Sequence, residues 1–379
     1  MNVAVTDPDY KHSLGIVRAL GKIGIKPFLL THKTGSLCSY SKYSSKEIII
    51  PPNYTKKELI ETLKKYNIEL IILVGTNSFR KIVPWKDELK KQGINIISVD
   101  INTLNIALSK KETYFLAKKI GVPVPKTFFI SKFDDLNSVE NSISYPCVIK
   151  GVYEAGRNIV DYVYSKKELK EKYLKICKKY NFQEGKNLPM IQEYIKGFGC
   201  GFFAVYNNGE CLLTFQHKRI REWPVTGGAS TCAESFKHNL VEKYGKMLLD
   251  ELKWHGVAMV EFKMTKEGIP ILMEINPKFW GSLDLALEAG VNFPKALIDI
   301  HLGKKIKYNS SYKYPFRYHW PLHGDILHAI ANPKNLLSVI KDCLDPRVKS
   351  NIWFNDFKPT IKMFQYFAKQ LVKYILERG

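Results

Sequence analysis

Cysteine is sparse and scattered in this chain. Its seven cysteines (Cys38, Cys147, Cys177, Cys200, Cys211, Cys232 and Cys343) are odd in number and form no CxxC pair. That argues against a disulfide framework or a zinc cluster and for a reducing compartment. Long apolar runs are also missing: nothing approaches the roughly 18 residues of a membrane-crossing helix. The opening MNVAVTDPDYKHS carries acids and lacks the apolar block of a signal peptide. A cytoplasmic setting is expected. Acidic residues are the minority charge, 36 against 58 Lys and Arg, for a formal charge of +22. Such an excess suits anionic partners. The lysines are spread along the whole chain, however, and no basic block interleaves with aromatics, which disfavours a nucleic-acid module. No GxGxxG follows the first predicted strand, where DPDYKHS stands instead, so a classical dinucleotide site is not supported there.

What is present begins with size. A chain of 379 residues, 45% hydrophobic, can bury cores for two or three domains. Up to residue 108, short apolar runs (VAVT, KPFLLT, EIIIPP, ELIILVG, INIISV) alternate with amphipathic stretches such as SLGIVRALGKIG and KKELIETLKKYN. That alternation predicts a doubly wound parallel sheet, with a substrate-facing crevice or plain scaffold at its strand ends. Residues 109–192 read as a small lobe, with a helix closed by Gly121, a Pro-rich link and the strand YPCVIKG. Residues 193–303 hold alternating strands and a Gly-rich loop. Residues 304–379 are basic, aromatic and partly helical. The class is mixed, α/β followed by α+β.

The densest chemistry lies in ILMEINPKFWGSLD. Glu274 and Asn276 follow an apolar run and, two apart on a strand, share a face. Upstream, GVAMVEF embeds Glu261 among apolar neighbours, and TKEG supplies a turn. A hairpin would bring all three onto one face. Paired buried carboxylates need a cation, and Mg²⁺ takes hard oxygen ligands that it shares with phosphates. For EIN alone, the competing reading is an edge strand facing solvent. A second cluster, HKRIREWPVTGGAST, puts His217, Arg219 and Arg221 on one strand face, ahead of a loop containing Gly227 and Gly228.

Together these stretches resemble the ATP-grasp superfamily, in its carboxylate–amine ligase branch, over residues 109–303. SKKETYFLAKKIGVPVPKT is similar to the family's entry helix, which implies that Lys110, or its neighbour Lys111, approaches the phosphates. YPCVIKG resembles the strand whose lysine, here Lys150, binds the α- and β-phosphates. IQEYIKG resembles the hinge, where Glu193 and the Tyr194–Ile195 backbone would meet the adenine. The resemblance assigns Glu261, Glu274 and Asn276 to Mg²⁺, with Mn²⁺ as a substitute. It sets Arg219 near the γ-phosphate, with Arg221 beside it and Gly227–Gly228 lining the acceptor site. The loop GVYEAGRN, through Gly151 and Gly156, would fold over the phosphates. Two departures stand out. Lys278 occupies a position where relatives often carry arginine, losing the bidentate fork, and FGCGF offers no acid for the ribose.

The resemblance implies a pre-ATP-grasp domain (1–108) ahead of a two-lobed grasp. It also implies an ADP-forming ligase that joins a small carboxylate to an amine through an acyl phosphate. Other phosphoryl-transfer or carbamoyl-phosphate chemistry, or a non-catalytic ATP-binding scaffold, are the rivals. The tail IKMFQYFAKQLVKYILE sets Phe364, Phe367, Leu371 and Ile375 at helical spacing among lysines. Such a helix lies on an anionic membrane surface, docks a partner, or, more commonly, packs on its own domain. Substrate identity and oligomeric state are not legible.

Overall fold

Three sheets build the computed structural model, which describes residues 1–153, 159–225 and 227–376. The first is all parallel: β1 (Asn2–Thr6), β2 (Phe28–Thr31), β3 (Glu47–Ile49), β4 (Ile68–Ile72) and β5 (Asn95–Ile96), in the order β3-β2-β1-β4-β5. Short apolar runs can be buried on both faces, and crossover helices such as Lys11–Gly21 and Lys56–Lys65 cover them. The second of these helices starts in a capping box between Thr55 and Glu58, which satisfies two otherwise orphaned backbone donors. Strand order reverses between β1 and β4, so their carboxyl ends open a crevice.

The second sheet is small and antiparallel: β6 (Thr127–Phe128), β7 (Cys147–Lys150), β8 (Val160–Val163) and β9 (Met190–Glu193), in the order β6-β9-β7-β8. The helices Asp135–Ser142 and Lys166–Tyr180 cover it through Leu136, Val139, Leu169 and Tyr173.

The third sheet has seven strands: β10 (Phe198–Asn207), β11 (Glu210–Trp223), β12 (Ala229–Ser235), β13 (Gly256–Met264), β14 (Pro270–Asn276), β15 (Phe316–His319) and β16 (Lys349–Ser350). Their order is β14-β13-β10-β11-β12-β15-β16, antiparallel except for the last pair. Alternation along β10 sends Phe202, Ala204 and Tyr206 into one core and Phe203 and Val205 into another, beside Trp280 and Phe293. Phe202, Phe203 and Val205, each fully buried, contribute on the order of 1.5–3 kcal/mol apiece.

The expected succession of a parallel sheet, antiparallel sheets and a terminal helix is what the chain adopts. The segment after Gly303 is nevertheless more than a tail, because β15 and β16 complete the large sheet. Its last helix, Lys358–Leu376, buries Met363 and Phe367 against Leu14 and Val17 of the first helix. A buried ion pair tightens the same seam: Arg18 donates to Asp356 Oδ2 at 2.9 Å and to the Asn351 and Asp356 carbonyls at 3.0 Å each. Asp356 accepts in turn from Ser41 Oγ and the Lys42 amide. A guanidinium is tolerated at such depth only when carboxylate and carbonyl acceptors meet it.

Candidate active site

All three sheets face one cleft of about 570 Å³. Its floor is the β13–β14 pair. On β13 the alternation is regular: Met259, Glu261 and Lys263 line the cleft, while Ala258, Val260 and Phe262 enter the core. On β14 the same rule would put Glu274 with Leu272, in the core. A β-bulge prevents this. Phe262 pairs with Leu272 and Glu261 with Glu274, which leaves Met273 as the extra residue. Past the bulge, Glu274 and Asn276 turn to the cleft and Ile275 fills the core. This is how a carboxylate and an amide can follow an apolar run on an edge strand without facing open solvent. The bulge is held from behind: Tyr114 Oη, from the helix Lys110–Lys119, donates to the Met273 carbonyl at 2.8 Å.

Glu261 and Glu274 stand opposite each other, and each has its own cation. Arg219 Nη2 lies 2.7 Å from Glu261 Oε1, and Lys110 Nζ lies 2.9 Å from Glu274 Oε2. Asn276 Nδ2 donates to Glu274 Oε1 at 2.9 Å, and Lys278 Nζ donates to Asn276 Oδ1 at 3.1 Å. Burial works against ionising both carboxyls. At Glu274 it is outweighed by Lys110, Asn276 and Lys278, which hold the group well below the usual carboxylate range. At Glu261 burial prevails over Arg219, and the neighbouring Glu274 adds to it, so that carboxyl sits above its ordinary value. Lys150 Nζ donates to Gln192 Oε1 at 2.9 Å; burial, helped by Lys110, brings its ammonium down to about 8. Gln192 also donates to Tyr114 Oη and Thr127 Oγ1, and so ties the small sheet to the floor. Among the described residues, five cationic side chains line the cleft (Lys110, Lys150, Arg219, Lys263, Lys278) against three carboxylates (Glu222, Glu261, Glu274). The surplus of two suits a polyanion.

Glu261, Glu274 and Asn276 present three hard oxygens from adjacent strands, the donor type Mg²⁺ prefers. Among the described residues no group of three or more His, Cys, Asp or Glu side chains is placed to hold a metal. A divalent ion held by these side chains would have further positions to fill from water or a ligand's oxygens.

The N-terminal domain supplies a wall of the cleft. Tyr10 and His12, from the loop and helix after β1, and Gly75–Asn77, after β4, face it across the switch point. Asp7, in the left-handed region at φ 53°, joins the two loops by accepting from the Gly75 amide at 2.7 Å. A Cβ on Gly75 would lie 2.6 Å from Asp7 Oδ1. Burial, with Lys11, Lys278 and His323 adding to it, lowers the His12 imidazole to about 3, so it is neutral near pH 7.

Of the residues singled out in the sequence, Lys110, Lys150, Arg219, Gly227, Gly228, Glu261, Glu274, Asn276 and Lys278 meet in this cleft. Lys111 does not; its ammonium lies 5.9 Å from the ring centres of Phe115 and Phe129. Arg221 is a correction. Arg219 pairs with Ala233 and Arg221 with Cys232, so Ile220 is an extra residue that turns Arg221 to the opposite face. There it is buried against Asp325 and Asp342, at 2.7 Å each. Glu193, Tyr194 and Ile195 are not on the cleft lining either. Glu193 Oε1 accepts from the Lys126 amide at 2.8 Å, and the Tyr194 ring meets the cleft residue Tyr162 edge-on at 5.8 Å. The stretch therefore sits at the rim. Gly156 lies outside the described residues.

Sequence reasoning missed His12, Tyr10, Gln192 and the Met273 bulge. It also read FGCGF only as a missing acid. Gly199 in that stretch makes room for Arg219, since a Cβ there would lie 3.0 Å from Arg219 Cδ.

Residues 190–322 match the model of a family described as "ATP-grasp in the biosynthetic pathway with Ter operon". The chain is 24% identical over 229 residues to the carbamoyl phosphate synthase large chain of Thermoanaerobacter sp., covering 58% of this chain and 21% of that one. It thus spans about a fifth of the length of that relative. Among solved structures, the biotin carboxylase domain of Hydrogenobacter thermophilus 2-oxoglutarate carboxylase, in complex with MgADP and bicarbonate, superposes with a TM-score of 0.67. Identity is 14%, over 81% of this chain and 71% of that one. An ADP complex of N5-carboxyaminoimidazole ribonucleotide synthetase gives 0.66 at 15% identity, over 89% and 85%. The chain thus shares its fold with these solved structures, and residues 190–322 are similar to an ATP-grasp family model.

Proposed function

We propose that this protein is an ATP-dependent, ADP-forming ligase. In this reading a small carboxylate attacks the γ-phosphorus of ATP, breaking the bond to the β-phosphate oxygen and releasing ADP. An amine then attacks the acyl carbon and expels phosphate, which carries off the amine's proton and leaves an amide. The observation that carries the reading is the floor of the cleft: two opposed carboxylates and an amide, each engaged by a lysine or arginine, under a cationic surplus. Mg²⁺, when bound, would be held by Glu261, Glu274 and Asn276 and would neutralise phosphate charge. In this reading Lys110 and Lys150 would meet the phosphate tail, and Arg219 and Lys278 would disperse charge as the phosphoryl moves. Gly227 and Gly228 would border the acceptor. No side-chain nucleophile is needed, and the buried cysteines, among them Cys200 raised to about 12 by burial, are not activated as one.

The test is ADP release over mixtures of acids and amines, with hydroxylamine as the trapping amine. Bicarbonate belongs among the acids, because a structural neighbour holds it and the sequence relatives are carbamoyl phosphate synthases. ATP-dependent hydroxamate formation with a carboxylic acid supports the scheme. Release of AMP and pyrophosphate overturns it.

A further inference from the structure

The four most exposed large apolar side chains described anywhere in the chain all lie after residue 330. They are Phe354 (88%), Leu337 (79%), Leu344 (77%) and Leu376 (74%). Leu376 belongs to a wider pattern on the last helix, Lys358–Leu376. One face of that helix is buried through Met363 and Phe367. On its outer face Ile361, Phe364, Val372 and Ile375 recur at a helical period, and all are more than half exposed. Lys358, Lys362, Lys369 and Lys373 run along one flank of that stripe, and no acid occurs between residues 357 and 376. The helix Leu336–Leu344 carries two further exposed leucines, Leu337 and Leu344. Both helices are seated on the same stretch of β11: Arg221 donates to Ser338 Oγ at 3.0 Å, and the Trp223 ring lies 5.2 Å from that of Tyr374.

We infer that this outer face docks on an anionic lipid bilayer. An apolar stripe flanked by lysines is the pattern of a helix that lies in the headgroup layer. The apolar side chains enter the acyl boundary and the ammonium groups meet lipid phosphates. Charge selects this occupant over a second copy of the chain, which would bring the same lysines and the same +22, whereas the bilayer carries the missing sign. No helix among the described residues is long and apolar enough to cross a membrane, so the contact is peripheral. The docked helix would hold the cleft close to the surface. From its inner face Tyr366 Oη donates to Asp9 at 3.3 Å, in the loop that leads to Tyr10 and His12.

The experiment is co-sedimentation of the full chain with vesicles of phosphatidylcholine alone and of phosphatidylcholine with about one third phosphatidylglycerol. Wild type is expected to bind the anionic vesicles at least about tenfold more tightly than the neutral ones. Phe364→Asp with Val372→Asp, and separately Lys369→Glu with Lys373→Glu, are each expected to lose about tenfold or more. Leu337→Asp with Leu344→Asp gives a second apolar test on another helix. Lys56→Glu with Lys57→Glu, on the exposed start of the helix Lys56–Lys65, removes equal charge elsewhere and should bind like wild type. No binding to anionic vesicles overturns the inference. So does an equal loss in the Lys56/Lys57 variant, which would mean unspecific attraction to a basic protein. Concentration-dependent self-association abolished by the Phe364/Val372 pair would assign the face to a second copy instead.

Discussion

Arg219 and Arg221 stand two residues apart on one strand and serve opposite ends. Arg219 reaches into the cleft to Glu261, while Arg221 is locked into a dry cluster with Asp325 and Asp342 that staples two helices of the last third of the chain to the large sheet. Identical side chains thus divide into one that faces the cleft and one that is buried in an ion cluster. A single extra residue, Ile220, decides between them. β14 uses the same device at Met273, with the reverse outcome: there the bulge brings Glu274 out of the core direction and into the cleft.

The comparison can be broken from the stability side first. Arg221→Ala leaves two buried aspartates without their main cation and should cost about 3–5 kcal/mol, read as a large fall in the urea midpoint. If the midpoint stays put, the cluster is not a staple. The cleft side predicts the opposite profile. Glu274→Gln should keep thermal stability near wild type and lower ADP release by roughly a hundredfold or more, about 2.7 kcal/mol of barrier. A pH series sharpens the contrast. Burial lowers Lys150 from 10.5 to about 8, so its ammonium is present below that pH and lost above it. ATP affinity, measured calorimetrically, should fall about tenfold between pH 7 and 9, and Lys150→Arg should flatten the profile. The same shift means that the cost of keeping this lysine charged in the fold is present below pH 8 and fades between 8 and 10.5. The smallest effect belongs to Gly199→Ala. Its Cβ presses on Arg219 Cδ at 3.0 Å, so a loss of roughly threefold in kcat/KM, under 1 kcal/mol, with unchanged stability would locate the strain at Arg219 alone.

Much of this was legible because it is local. Alternation in GVAMVEF names the face of Glu261 without any partner strand, and the lysine ending YPCVIKG is marked by the apolar run before it. What escaped depends on pairing. A bulge is invisible until the opposite strand is known, and it inverts every face beyond it; hence Arg221 was assigned to the wrong side. The Tyr10 and His12 wall follows from β1 and β4 being neighbours at a reversal of strand order, which no stretch of residues states. Gly199 mattered for what it leaves empty beside another strand. β15 joins the sheet through four residues paired with a strand more than eighty positions earlier.

The seam between the first helix and the end of the chain governs how the protein can be dissected. The family match stops at residue 322, which would be a natural place to truncate an expression clone. Asn351 and Asp356 lie beyond that point, so trimming there would strand Arg18 in the interior of the N-terminal domain with its acceptors gone. A fragment comprising everything before residue 323 should be insoluble for that reason alone, and its inactivity would say nothing about catalysis.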